Sequence, residues 1–169
     1  MTGVQTCALP ILSMRPEVLG GRTLGEALLA PTKIYVKPIL ELLAAVNVKG
    51  ISHITGGGFY ENIPRSIPDG LGAVIERNAV RVLPIFDLIA KEGNISEKDM
   101  FNTFNMGVGM SIVVAREEAE KAVEILKANG EDAYVIGKIE NSEDKITIFA
   151  CAGPARREPR FLRWREAGR

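Results

Sequence analysis

The sequence predicts an α+β domain in which helices pack on a mixed β-sheet, and three observations carry that expectation. Short stretches rich in apolar and β-branched residues recur at Val48 to Ile54, around Ala73-Val74-Ile75, at Ala133 to Ile139 and at Lys145 to Phe149. Amphipathic stripes at helical spacing lie between them. No internal repeat and no low-complexity linker interrupts the chain from Lys33 to Phe149, so these elements read as one folded unit. A chain of 169 residues suits one domain with a real core.

Taken in order, Met1 to Met14 shows no periodicity and resembles translated sequencing-adapter read-through. Arg15 to Ala30 is punctuated by glycine and reads as loop, and residues 1–22 together are expected to form a non-native or disordered lead. Lys33 to Lys37 alternates Ile34 and Val36 with other residues and predicts a short strand. Pro38 suits the first turn of a helix, whose stripe is Ile39, Leu42, Leu43 and Val46. After the Val48 to Ile54 strand, Gly70 to Glu76 carries a second one. Pro84 to Lys91 predicts a short helix with Ile85, Leu88 and Ile89 on one face and Gly93 as its stop. Ser96 caps the next helix, with Asp99 three residues on, and Ile95 and Met100 form a hydrophobic staple. The apolar run Ser111 to Ala115 predicts a further strand. Arg116 to Asn129 is the clearest helix, with Ala119, Ala122, Val123 and Leu126 on one face and Glu120 and Glu124 on the other. The last two strands are joined by the polar turn Glu140 to Asp144. The domain is thus expected over 23–149, and 150–169 as an arginine-rich tail, disordered or non-native.

Composition narrows the function classes. Apolar residues make up 46% and charged residues 25%, as in an ordinary globular protein. Formal net charge is zero, which removes any general pull toward nucleic acid or anionic membrane. The tail holds six arginines against two glutamates but has no periodicity, and reads as solvated rather than as a nucleic-acid arm. No apolar run approaches the roughly 20 residues of a membrane span, and the N-terminus lacks the plan of a secretory signal. Cys7, Cys151 and the single histidine cannot compose a zinc site, and two distant cysteines give no disulfide framework. The expected compartment is the cytoplasm.

The chemistry concentrates in His53-Ile-Thr-Gly-Gly-Gly-Phe-Tyr-Glu-Asn-Ile-Pro-Arg65. A glycine run at a strand end can turn sharply and aim several N–H groups at one point, and an arginine nearby can clamp a phosphate. Equally, on residue types alone, the glycines make a turn free of steric clash and His53 is a strand histidine. A Gly-x-Gly at Gly107 and Gly109 follows a helix and opens a strand, the reverse of the dinucleotide-binding order. There Asn105 reads as a helix-end cap and Met106 as a core filler.

This stretch, together with Phe104-Asn-Met-Gly-Val-Gly-Met110, resembles the hallmark segments of aminoimidazole ribonucleotide synthetase, or phosphoribosylformylglycinamidine cyclo-ligase. Thr23 to Lys37 resembles that family's interdomain connection, and the likeness runs to about Asn141. It implies the fold of the family's carboxy-terminal domain and a part in ATP-dependent ring closure of formylglycinamidine ribonucleotide in purine biosynthesis. By resemblance, Thr55, Gly56, Gly57 and Gly58 form a phosphate-facing loop. His53, Asn62 and Arg65 lie at or beside the substrate cleft, with His53 the candidate catalytic group, and Asn105, Met106 and Gly107 line the same cleft. The family implies ATP and Mg2+, held mainly by an N-terminal domain that precedes the connection in its members, and a homodimeric full-length enzyme. No metal ligand is read in this chain, and the chain alone is expected to be inactive. Two other readings compete: a domain of a sister enzyme, such as formylglycinamidine ribonucleotide synthase, selenophosphate synthetase or thiamine monophosphate kinase, and a non-catalytic phosphate-ligand binding module.

Overall fold

The computed structural model describes residues 11–149; the expected tail over 150–169 and residues 1–10 of the expected lead lie outside the described residues. The elements are α1 (Leu24–Leu28), α2 (Val36–Ala45), β1 (Val48–His53), α3 (Gly58–Asn62), β2 (Leu71–Glu76), α4 (Pro84–Gly93), α5 (Glu97–Thr103), β3 (Met110–Val114), α6 (Ala119–Ala128), β4 (Gly137–Asn141) and β5 (Ile146–Phe149). The α+β class is as expected, but the strands divide into two sheets. β1 pairs antiparallel with β3, and a three-stranded sheet has the order β4-β2-β5, antiparallel on one side of β2 and parallel on the other.

That order separates the last two strands. They are joined by a polar turn in sequence, yet β2 lies between them. β2 is fit for the centre because Gly72, Ala73 and Ile75 are buried and only Glu76 at its end is exposed. β4 carries the exposed Lys138 and Glu140, paired at 2.6 Å, as suits an edge strand. Residues 133–136, expected as strand, precede β4 without joining it.

Two apolar clusters hold the elements. The larger contains Ile54, Phe59, Ile63, Ile67, Ala73, Ile75, Val80, Met100, Phe101 and Met106. The smaller has Leu42, Val46 and Ala122 buried, with Val48, Ile112, Val114, Ile125 and Leu126 packed against them. It is the seam between α2, α6 and the β1–β3 pair. A bulge between Val48 and Gly50 re-aims β1, so Val48 meets the helices whereas Ser52 turns to the Ile63–Ser66 turn.

The helical patterns read well where a buried stripe is long. Ser96 Oγ accepts from Asp99 N–H at 3.2 Å, and α4 closes on Asn94 in the left-handed conformation, one residue past the expected glycine stop. Two expectations fail. Lys33 to Lys37 forms no strand: Val36 opens α2, in which Pro38 and Leu42 are buried, and Leu42 and Val46 belong to the small cluster. Arg15 to Ala30 is not all loop. Thr23 accepts from Glu26 N–H at 3.1 Å while its own N–H donates to Glu26 Oε2 at 2.7 Å, a reciprocal cap that starts α1. Ahead of α1, Leu19 is buried and Leu24 N–H donates to the Met14 carbonyl at 2.8 Å.

Candidate active site

The site is built where β1 ends and β3 begins. His53 pairs with Met110, and one residue later Ile54 N–H donates to the Gly109 carbonyl at 2.9 Å. The chain leaving β1 therefore turns beside the chain entering β3, and the two sequence motifs meet through backbone hydrogen bonds.

The first turn spans 55–58. Gly58 N–H donates to the Thr55 carbonyl at 3.0 Å, and Gly57 at φ 92°, ψ −7° takes the third position of a type II turn. Gly58, at φ 55°, is buried so closely against α5 that a Cβ would run into the Phe101 carbonyl oxygen and lie 2.8 Å from that of Phe104. Phe59, fully buried, meets the Phe101 ring edge-on at 5.0 Å. The glycine run is thus partly a packing device, and Gly58 spends its N–H inside the turn. Gly56 faces open space, and Thr55 is exposed.

Asn62 lies beneath this turn, 5% exposed, its Nδ2 donating to the carbonyls of Gly58 at 2.7 Å and Gly56 at 3.2 Å. Its amide nitrogen holds the turn in shape. Arg65 is exposed, and its guanidinium lies 3.7 Å from Glu61 Oε2. The same Glu61 side chain lies against Gly57, so a carboxylate occupies the flank of the turn expected to receive an anion.

The second turn spans 105–108. Val108 N–H donates to the Asn105 carbonyl at 2.8 Å, and Asn105 Oδ1 accepts from Gly107 N–H at 3.0 Å. Both central residues have positive φ, 52° at Met106 and 100° at Gly107. Met106 is a non-glycine residue in the left-handed region, 3% exposed, its side chain anchored in the larger cluster. Sequence reasoning read Asn105 as a cap and Met106 as core; each description fits, the cap serving a turn instead of a helix end.

His53 is exposed at the strand end and forms a T-shaped pair with the Tyr35 ring, centroids 5.8 Å apart and planes at 70°. The Tyr35 hydroxyl is held above its ordinary pKa, first by burial and then by the negative charge of Glu131, against the opposing effect of Lys33. Sequence reasoning gave Tyr35 no role, although an aromatic between Ile34 and Val36 just ahead of a helix was a visible signal. It also missed Ser52, buried, whose hydroxyl donates to Ser66 Oγ at 2.7 Å and ties β1 to the Ile63–Ser66 turn. Among the described residues no three His, Cys, Asp or Glu side chains converge. Nor, among them, is any helix long and apolar enough to cross a membrane.

The family description "AIR synthase related protein, C-terminal domain" matches residues 8–149. The chain belongs to that family. Among curated relatives, the phosphoribosylformylglycinamidine cyclo-ligase of Lachnospira eligens is 56% identical over 129 residues, which cover 76% of this chain and 38% of the relative. Its counterpart in Bacillus cereus is 57% identical over 115 residues, 68% of this chain and 33% of the relative. That of Caldicellulosiruptor saccharolyticus is 52% identical over 126 residues, 75% of this chain and 37% of the relative. The chain therefore spans about a third of the length of these relatives. A chain solved in a HypE–HypF complex shares the fold with TM-score 0.59 at 24% identity, covering 78% of this chain and 46% of that one. As an AIR synthase related C-terminal domain, the chain places both hallmark segments in one junction.

Proposed function

We propose that this domain supplies one wall of a cyclo-ligase active site, acting in ATP-dependent closure of formylglycinamidine ribonucleotide to aminoimidazole ribonucleotide. The observation that carries the reading is the junction of the two turns, joined by the Ile54–Gly109 hydrogen bond, in a chain more than half identical to enzymes named cyclo-ligase. A sister enzyme or a bare phosphate-binding module is the weaker alternative, since the named relatives all carry the cyclo-ligase name.

In the proposed reaction the substrate amide oxygen takes the terminal phosphoryl group of ATP. The neighbouring nitrogen then attacks that carbon, and ring closure releases phosphate, with ADP as the other product. Phosphoryl transfer depends on positioning and on donors aimed at developing charge. The 55–58 turn would present the backbone N–H groups not spent within it, ahead of Gly58, to a phosphate of the nucleotide, and Arg65 would leave Glu61 to close on it. Releasing Arg65 from Glu61 costs little, because an exposed i,i+4 pair is worth about 0.3–0.5 kcal/mol, whereas a hydrogen bond to a charged group contributes about 1.5–3 kcal/mol. His53 stands at the junction as the proton-exchanging group, and Asn105, Met106 and Gly107 form the opposing rim. ATP and Mg2+ are assigned to the portion that precedes this domain in the relatives; the compartment is the cytoplasm and the assembled enzyme a homodimer.

Calorimetric titration with the substrate nucleotide tests the wall. Arg65→Ala should weaken binding by about 1.5–3 kcal/mol, and equal affinity would remove Arg65 from the site. Ring closure, assayed on this chain alone and mixed with the preceding portion of the Lachnospira eligens enzyme, tests the division of labour. Activity is expected only in the mixture, and substantial turnover by the lone chain would overturn it.

A further inference from the structure

Tyr35 is unused by the roles above, yet three contacts converge on it. Its ring and the His53 imidazole form a T-shaped pair, centroids 5.8 Å apart. Its hydroxyl occupies the space into which a Cβ on Gly109 would project, with Cζ 3.0 Å from that position. Gly109 is also the residue whose carbonyl receives Ile54 N–H, so the tyrosine packs on a residue that joins the two turns. Two residues earlier, Lys33 Nζ reaches Glu131 Oε2 at 2.7 Å, and the Glu131 side chain is largely buried. The segment before α2 is thereby seated at both ends, by an ion pair just past α6 and by an aromatic ring on the β3 side.

We propose that Tyr35 is a positioning residue that holds the His53 imidazole at the junction of the two turns, and that the Lys33–Glu131 pair makes this orientation depend on the seating of residues 31–35. Only the catalytic consequence rests on the cyclo-ligase reading; the geometry stands without it. An exposed histidine on a strand end is otherwise free to rotate, and a T-shaped ring contact restricts it. Any side chain at Gly109 would displace the tyrosine, which makes that glycine the second half of the device.

His53 is the single histidine of the sequence, so its ring protons are unambiguous in an NMR spectrum. Wild type and Tyr35→Phe should show cross-relaxation between the two rings and the same His53 shifts. Tyr35→Ala should move the His53 signals toward those of a freely rotating, solvated imidazole. Gly109→Ala should do the same and erase the ring-to-ring cross peaks while leaving both rings in the chain. Either variant keeping wild-type His53 signals, with amide spectra of the native fold, overturns the proposal. Should both unfold, Lys33→Met decides: it changes an exposed side chain and should cut the cross peaks by half or more, and unchanged peaks would sink the idea. In a parallel titration with the substrate nucleotide, Tyr35→Ala should weaken binding roughly tenfold, or ~1.4 kcal/mol, and Tyr35→Phe should not. A wild-type chain that binds no nucleotide would count against the proposed function, and the spectra would still decide Tyr35.

Discussion

At the 55–58 turn a glycine leaves room for neighbouring backbone, whereas at the 105–108 turn a methionine accepts an unfavourable backbone angle to keep its side chain in the core. Gly58 has positive φ and carbonyl oxygens of α5 and its exit where a Cβ would stand. Met106 has nearly the same φ, 52° against 55°, and bears a full side chain. The difference is what surrounds each Cα. Around Gly58 the near atoms are backbone, which cannot yield. Met106 is buried in a cluster with Ile54, Phe59 and Phe101, and the burial of a large apolar side chain, about 1.5–3 kcal/mol, offsets a left-handed cost of about 1–2 kcal/mol. Glycine in a motif therefore does not mean one thing: the first turn is constrained by approach, the second by anchoring.

Substitutions can break or sharpen this contrast. Gly58→Ala should have the largest effect, about 3 kcal/mol or more, because backbone strain and collision with fixed carbonyls act together. Urea unfolding reads it, and a loss under ~1 kcal/mol would show that α5 moves aside freely. Met106→Ala should cost about 2–5 kcal/mol. Met106→Gly should cost less than Met106→Ala, because glycine regains the left-handed angle, and the reverse order in paired denaturation curves would remove the anchoring account. Asn62→Ala should cost about 1–3 kcal/mol by stripping a buried donor from two carbonyls. Calorimetric melting measures this, and an unchanged midpoint would show that water replaces the amide at no cost. Gly56→Ala should stay within ~0.5 kcal/mol, since its Cβ would enter open space and its φ is not positive. A large effect there would mean that the first turn is held by something other than approach at Gly58.

Much of the fold could be read from particular residues. β1, β2 and β3 stand near their expected positions because each holds a compact apolar or β-branched run. The Ser96 cap was legible because its mechanism is local, a hydroxyl and an amide three residues apart. The same signature, Thr23 with Glu26, was available for α1 and went unread amid glycines. Lys33 to Lys37 misled because alternation over five residues cannot tell a strand from the approach to a helix without knowing what pairs with it. In the site, the proximity of the two motifs was implied by resemblance, but the spending of Asn62 on the turn and of Gly58 on packing was not.

The class of the domain, most of its helices and strands, the family and the two motif stretches are legible along the chain. These depend on side-chain periodicity, on caps a few residues long and on ordered motifs, all of which are local along the chain. Only the tertiary structure decided that β2 separates β4 from β5, that the strands form two sheets, and that Met106 adopts a left-handed angle. It alone brought Tyr35 onto Gly109 beside His53 and set Glu61 against Gly57. The physical reason is that pairing order and close approach depend on atoms far apart in sequence, where burial, steric exclusion and backbone hydrogen bonding act across distances that no local pattern encodes.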